Sequence, residues 1–300
     1  MQRPRVSHVG SLEMTLIGSN TSVDSISAKL ECPKISTIIF DIDDTLYDVG
    51  TGFTAHRNTD SATSFMVDKL HFPSKEEAQI LRDEYFTKYH STAKGLTVAE
   101  ADGKLPPLPD GVTLPADRTS RFDPEELDEY WAQHLDFSLL GGPDPKCIET
   151  FEMMSRKLKI VGFSNGPRKY VTRVLKEIGL EYFFQSKQLF AVNDVLPHCK
   201  PDHGAFQLVL EKIGVVPREC IMVEDSMKNI RVAKSLGMKT ILVVGKDRKR
   251  ENRSAEYQKS ADDAEATKAG DIPDETDPAV DAVVEVASEV SLVLNRWGLL

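Results

Sequence analysis

Cysteine, long apolar runs and excess positive charge are all scarce in this chain of 300 residues. The 4 cysteines form no C-x-x-C pair, so the sequence predicts neither a zinc site nor a disulfide framework and favours a reducing compartment. No apolar run approaches the roughly 20 residues that cross a bilayer. The net charge of −10 disfavours binding to nucleic acid polymers or anionic membranes, because both need a positive field. A small anionic ligand needs only a local cluster of cations.

The first 33 residues lack the apolar centre of a secretory signal. They are rich in serine and carry early arginines, and we expect a disordered leader; an organelle transit peptide is the alternative. The rest of the chain has ordinary globular composition, 40% hydrophobic and 28% charged. We expect a cytoplasmic protein that is a monomer or a homodimer.

Short, nearly continuous apolar runs alternate with helical patterns from residue 35 onward. Such runs predict parallel strands covered on both faces, and the alternation predicts a doubly wound α/β sheet. Ligands of such sheets bind at the carboxyl ends of the strands. The first of three helices that end at a glycine carries Tyr170 on its apolar face and stops at Gly179. The predicted strands are 35–40, 158–163, 188–192, 220–223 and 239–244, with a last strand and helix within 279–297.

Residues 50–145 break this rhythm and are predicted to form a smaller helical cap domain inserted after the first strand. Ser74 and Glu77 form a capping box before one helix, and Pro124 begins another. The proline-rich stretch 97–121 between them has little apolar period and is interpreted as a surface insertion. The cap would lie over the end of the first strand.

The core domain is then predicted to comprise residues 34–49 and 146–300. Within it, residues 245–278 are charged and poor in aliphatic side chains, which favours a solvated loop. A functional patch at its basic start, KDRKR, is the alternative.

The stretch TIIFDIDDTLYD places four aspartates in eight residues directly after the first predicted strand. Asp41 and Asp43 would share a face if the pleat continued, so one carboxylate could attack phosphorus while the other moves a proton. Thr45 could fix the following turn. An EF-hand loop is excluded, because its sixth and twelfth positions hold Leu46 and Gly52 instead of Gly and Glu. A solvated turn and a metal site without catalysis stay open.

Polar residues also follow the other predicted strands. Ser164, Asn165 and Gly166 come after the second strand, where they could offer hydroxyl and backbone N–H donors to a phosphate, although they are also ordinary turn residues. Lys200 stands directly before a helix and is either a surface lysine or a counter-charge for the attacking carboxylate.

Glu224 and Asp225 follow the fourth predicted strand. Together with the first aspartates they offer hard oxygen ligands from separate segments, as Mg²⁺ prefers. The density of negative charge is reasonable if Mg²⁺ and a phosphoryl group occupy the same site.

Four segments in this order, FDIDDTLY, FSNG, CKP and VEDSMKNI, resemble the four motifs of the haloacid dehalogenase (HAD) superfamily of phosphohydrolases. The resemblance covers roughly residues 35 to 245 and the last strand and helix. It implies a Rossmann-like core with a cap. DIDDTLY, the lid stretch YFTKYHSTAKGL and EDSMKNI are similar to the pyrimidine 5′-nucleotidase branch found in fungi and plants.

This resemblance implies a role for each matching residue. Asp41 would be the nucleophile, Asp43 the general acid and base, and Ser164 and Lys200 the groups that stabilise the phosphate and the intermediate. Mg²⁺ would be held by Asp41, the backbone carbonyl of Asp43 and Asp225, with help from Glu224. Many relatives carry Asp-Asp where this chain has Glu224-Asp225.

The expected function is therefore that of an Mg²⁺-dependent phosphomonoesterase acting on a small phosphorylated metabolite, with a pyrimidine nucleoside 5′-monophosphate as the first candidate. The alternatives are a phosphatase or phosphomutase for another metabolite, a dehalogenase, or a non-catalytic binding protein. A dehalogenase needs neither an acid at Asp43 nor a metal. The residues expected to contact substrate are Thr45, Asn165, Gly166 and, in the cap, Tyr89, His90 and Thr92.

Overall fold

Six parallel strands form one sheet in the order β3-β2-β1-β4-β5-β6, which confirms the doubly wound α/β fold. The computed structural model describes residues 34–114, 116, 118–246 and 274–300. The predicted leader and most of the charged stretch 245–278 lie outside these residues. The strands are β1 (Thr37–Phe40), β2 (Lys159–Phe163), β3 (Leu189–Phe190), β4 (Cys220–Glu224), β5 (Lys239–Val243) and β6 (Ala282–Val284).

The helices flank the sheet or lie in the segment between β1 and β2. None of those in the described part of the chain is long and apolar enough to span a membrane. They are α1 (Phe53–His56), α2 (Ala62–Leu70), α3 (Lys75–Tyr89), α4 (Thr92–Ala101), α5 (Pro124–His134), α6 (Pro145–Ser155), α7 (Arg168–Glu177), α8 (Val192–Val195), α9 (His203–Ile213), α10 (Met227–Ser235) and α11 (Val290–Arg296).

Central strand β1 explains why the apolar runs are nearly continuous. Ile38 and Phe40 pack on one face of the sheet, where the ring of Phe40 lies 4.8 Å from that of Phe151 on α6. Ile39 packs in a separate cluster with Phe206 of α9. Because both faces are covered, Ile38, Ile39 and Phe40 are all apolar and the run is nearly continuous.

The register aligns the carboxyl ends of the three central strands. Phe40, the last residue of β1, pairs with Gly162 of β2 and Val223 of β4. The ladder continues one residue further, because the N–H of Asp41 donates to the carbonyl of Val223 over 2.9 Å. The loops after β1, β2 and β4 therefore meet at one edge of the sheet.

The segment 50–145, called the cap segment below, contains α1 to α5. A π-helical turn, Arg57–Ser61, joins α1 to α2, and the N–H of Ala62 donates to the carbonyl of Arg57. The predicted insertion 97–121 begins too early, because residues 97–101 complete α4.

A half-buried carboxylate fastens the far end of this insertion to α4. Glu100 accepts hydrogen bonds from the hydroxyl of Ser120 and from the backbone N–H groups of Arg121 and Phe122. Burial alone would raise the pKa of Glu100, but these hydrogen bonds lower it below its ordinary value.

The predicted strand 188–192 is wrong beyond Phe190. Asp194 accepts a hydrogen bond from the N–H of Ala191 over 2.7 Å, and this contact starts the short helix α8. The backbone of Ala191 is therefore used to begin a helix and does not extend the sheet.

Candidate active site

A pocket of about 150 Å³ opens where the loops after β1, β2 and β4 meet the cap segment. Its walls come from two distant parts of the chain. The sheet side contributes Asp41, Asp43, Asn165, Lys200, Glu224 and Asp225, and the cap segment contributes Thr54, Arg57, Asn58, Phe86 and His90.

A buried ammonium group lies between two carboxylates at the base of the pocket. Nζ of Lys200 is 2.7 Å from Oδ1 of Asp41 and 2.9 Å from Oε2 of Glu224. The Lys200 side chain is 2% exposed and that of Glu224 is 0% exposed. Burial would lower the pKa of Lys200, but the two carboxylates raise it, so the ammonium stays charged. Lys200 is therefore a buried counter-charge and not a surface lysine.

Three carboxylates come together beside this ammonium group. Asp41, Glu224 and Asp225 each offer an oxygen, and these oxygens lie within 4.8 Å of one another. Burial, and then the charge of Asp41, raise the pKa of Glu224 well above its ordinary value, and Lys200 offsets only part of this. When all four groups are ionised, three carboxylates lie beside one ammonium group. A divalent cation with hard oxygen ligands fits both this charge and this donor set, so the residues suit Mg²⁺.

Thr45 lies behind these carboxylates. Its Oγ1 donates to Oδ1 of Asp225 over 3.4 Å, and its side chain is buried. Thr45 does not line the pocket. The position of Thr45 therefore does not favour the predicted contact with substrate. Its hydroxyl orients the carboxylate of Asp225 instead.

Asp43 is held by three donors, none of which the sequence patterns predict as its partner. Oδ1 accepts hydrogen bonds from the hydroxyl groups of Tyr47 at 2.8 Å and Tyr170 at 2.5 Å. Oδ2 is 2.7 Å from Nη1 of Arg57. Burial would raise the pKa of Asp43, but the charge of Arg57 and the three hydrogen bonds lower it. In this arrangement Asp43 is a carboxylate.

Arg57 reaches Asp43 from the first position of the π-helical turn. The same Nη1 also donates to the Tyr170 hydroxyl over 2.7 Å. The guanidinium carbon lies 5.0 Å from the centre of the Tyr170 ring and 5.5 Å from that of Trp131. No local pattern marks this arginine, because only the fold brings it to Asp43.

Gly166 permits the close packing of Tyr170. A Cβ at position 166 would lie 2.9 Å from two atoms of the Tyr170 ring. The N–H of Gly166 donates to Oγ of Ser164 over 2.9 Å, and Ser164 is completely buried. Neither residue lines the pocket; Asn165 does. The predicted contacts of Ser164 and Gly166 with phosphate stay predictions.

The side chain of Asn165 ties the cap segment to the loop that carries Lys200. Its amide nitrogen donates to the carbonyls of Lys200 at 2.8 Å and His90 at 3.1 Å, and its oxygen accepts from the N–H of Lys200 at 2.8 Å. Nearby, Sγ of Cys199 donates to the carbonyl of Tyr89 over 3.0 Å. Asn165 thus fixes the backbone that carries Lys200.

The three predicted cap residues point in different directions. His90 lines the pocket, but Tyr89 and Thr92 do not. α3 ends at Tyr89, His90 has a left-handed backbone with φ of 52°, and buried Thr92 begins α4. Tyr89 stacks on Tyr85 instead, with ring centres 6.1 Å apart. The backbone reversal at His90 separates these side chains.

Comparison with known proteins gives a family match over most of the chain. Residues 35–237 match the model of the haloacid dehalogenase-like hydrolases. A phosphorylated carbohydrates phosphatase of Thermotoga maritima is 30% identical over 106 residues, covering 35% of this chain and 48% of that protein. Phosphoglycolate phosphatase 1 of Pseudomonas aeruginosa is 27% identical over 96 residues, covering 32% and 34%. The matches thus span half the length of these curated relatives or less.

A solved structure has the same fold. The 2-haloacid dehalogenase from Pseudomonas syringae pv. Tomato DC3000 aligns with a TM-score of 0.51 and 19% sequence identity. The alignment covers 88% of this chain and 99% of that one. At this identity the likeness concerns the fold alone.

Proposed function

Because the chain belongs to the haloacid dehalogenase-like hydrolases, we propose that it is an Mg²⁺-dependent phosphomonoesterase acting through an aspartyl phosphate on Asp41. One observation carries this proposal. A buried lysine, Lys200, bridges Asp41 and Glu224 at the carboxyl edge of the sheet, with Asp225 alongside. Burying several charged side chains together destabilises a fold, so such a cluster indicates a site that binds a charged ligand.

Asp41 is the nucleophile. Lys200 holds its Oδ1, which leaves Oδ2 for attack on phosphorus. An O–P bond forms as the bond from phosphorus to the leaving oxygen breaks. The ammonium of Lys200 stabilises the negative charge that collects around the transferred phosphoryl group.

Asp43 moves the protons. Asp43 is a carboxylate in the free protein, so as the acid it first takes up a proton, which it gives to the departing alkoxide. The resulting carboxylate then takes a proton from the water that attacks the aspartyl phosphate. Hydrolysis then returns Asp41 as a carboxylate and releases inorganic phosphate. Asp43 lines the pocket, as this role requires.

Asp41, Asp225 and the backbone carbonyl of Asp43 would hold Mg²⁺, with Glu224 in support. When bound, the ion would neutralise charge on the phosphoryl oxygens and draw the acidic groups together. Thr45, hydrogen-bonded to Asp225, would keep that carboxylate in place.

The substrate is a small phosphorylated metabolite whose leaving group faces the cap segment. His90, Phe86 and Asn58 line that side of the pocket. A pyrimidine nucleoside 5′-monophosphate is the first candidate, from the resemblance of the sequence. The names of the relatives add phosphorylated carbohydrates and phosphoglycolate as alternatives. Initial rates on UMP, CMP, a hexose phosphate and phosphoglycolate would rank these classes; equal rates on all of them would show that the cap segment does not select.

A phosphatase assay with p-nitrophenyl phosphate tests the chemistry itself. We expect turnover with Mg²⁺, none after EDTA treatment, and recovery when Mg²⁺ is added back. A dehalogenase would release halide from a 2-haloacid without metal, and a phosphomutase would return a rearranged phosphoester. A binding protein would give no product from any substrate of the panel.

A further inference from the structure

We infer that Arg57 is a positioning residue that, from the cap segment, sets the orientation of the Asp43 carboxylate for proton transfer. This inference rests on the proposed function and adds to it a residue outside the four sequence motifs. The contact that carries it is the 2.7 Å salt bridge between Nη1 of Arg57 and Oδ2 of Asp43.

The hydrogen bonds around Asp43 leave one orientation for this side chain. A carboxylate has about four acceptor positions on its two oxygens. Both positions of Oδ1 are taken, by the hydroxyls of Tyr47 and Tyr170, and one position of Oδ2 is taken by Arg57. Within the described residues no other donor reaches Asp43. The second position of Oδ2 is the one left for a proton that is exchanged in the pocket.

Arg57 itself is firmly placed. The residue is 8% exposed, its guanidinium lies against the rings of Tyr170 and Trp131, and Nη1 donates to the Tyr170 hydroxyl. A surface arginine would lose rotamer entropy on pairing, and its salt bridge would stabilise the fold little. The Arg57 side chain is already held in place before substrate binds. The guanidinium of Arg57 therefore holds the Asp43 carboxylate in place, because its own position is fixed by other contacts.

The backbone position of Arg57 supports the same role. π-Helical turns are rare and occur often at functional sites. Here the turn begins at Arg57 and joins α1 to α2, and Arg57 is one of its two buried residues. Any movement of the cap segment that shifts this turn would be transmitted to Asp43 through the salt bridge.

The test compares two substrates by kcat/KM, which reports the steps up to departure of the leaving group. p-Nitrophenyl phosphate expels a stable phenolate without a proton, whereas an alkyl phosphate such as glycerol phosphate needs one. For Arg57→Gln we expect kcat/KM for the alkyl phosphate to fall about 100-fold, as displacement of a catalytic group by about 1 Å does. The value for p-nitrophenyl phosphate should change less than about threefold. Equal losses on both substrates would overturn the inference.

Two further variants separate positioning from stability. Arg57→Lys keeps the charge and should recover part of the alkyl phosphate activity, and it serves if Arg57→Gln does not fold. Arg173→Gln on α7 removes another arginine that contacts an aromatic ring, that of Phe137 at 5.1 Å, and should leave both substrates unaffected.

In an Asp43→Asn background, Arg57→Gln should cost almost nothing more, because the group it positions is gone. A full additional loss there would show that Arg57 acts elsewhere. If the wild-type protein hydrolyses neither substrate, the proposed function itself fails, and that outcome is distinct from equal losses in the variant.

Discussion

Replacing Lys200 with methionine removes the single ammonium group that lies between two buried carboxylates. Methionine has nearly the same length and apolar stem, so the change is mainly one of charge. The side chains of Lys200 and Glu224 are 2% and 0% exposed, so water cannot replace the lost partner. Breaking a buried ion pair on one side costs about 3–5 kcal/mol. At about 2–4 °C per kcal/mol for a chain of this size, Tm should fall by about 6–20 °C.

A double variant tests whether this loss of stability comes from unpaired buried charge. Lys200→Met with Glu224→Gln removes the ammonium and one of its carboxylates, so most of the lost stability should return while phosphatase activity does not. The measurement is thermal unfolding in EDTA, together with turnover in Mg²⁺. Lys234→Met on α10, which removes a lysine paired with Asp281 at the surface, should change neither value appreciably. An unchanged Tm for Lys200→Met, or no recovery in the double variant, would refute the argument that buried charge dominates this site.

Three other changes test separate parts of the structure. Mg²⁺ at about a hundred times its dissociation constant should stabilise the protein by about 2.7 kcal/mol, read as a rise in Tm that Asp225→Asn suppresses; an equal rise in that variant would contradict the metal site. Asp128→Asn should cost about 1–3 kcal/mol in urea unfolding, because the buried Asp128 accepts the N–H groups of Lys169 and Tyr170, whereas Glu129→Gln next to it should cost little. Glu100→Gln should lower the free energy of unfolding at pH 7 but not well below pH 4. The lowered pKa of Glu100 stabilises the folded protein above the unfolded pKa of about 4.3, and this contribution is lost as the pH falls through the folded pKa. An equal loss of stability at both pH values would contradict this argument.

The fold and the charged centre of the site could be predicted because both depend on local patterns. A strand buried on both faces leaves a continuous apolar run, as Ile38 and Ile39 show by packing on opposite faces of the sheet. Residues that follow such strands must meet at one edge, which is why Asp41 and Asp225, directly after β1 and β4, line one pocket; Lys200 joins them from the loop before α9. Their catalytic roles stay predictions that the experiments above address.

The rest of the site could not be predicted because it depends on contacts between distant segments. Tyr170 reads as one more apolar residue on a helix face, and only the structure shows its hydroxyl on Asp43. Arg57 is an isolated arginine within a helix, with no spacing that connects it to the aspartates. Of the three lid candidates, Tyr89, His90 and Thr92, only His90 lines the pocket, because its own left-handed backbone separates α3 from α4.

The most direct test of the central claim is to trap the phosphorylated enzyme and locate the phosphate. Protein mixed with a substrate and Mg²⁺ is quenched in acid within milliseconds, digested, and examined by mass spectrometry. A phosphoryl group on Asp41, absent in EDTA and absent from Asp41→Asn, is the predicted result. Phosphate on another residue, or full turnover by the Asp41→Asn variant, would contradict it.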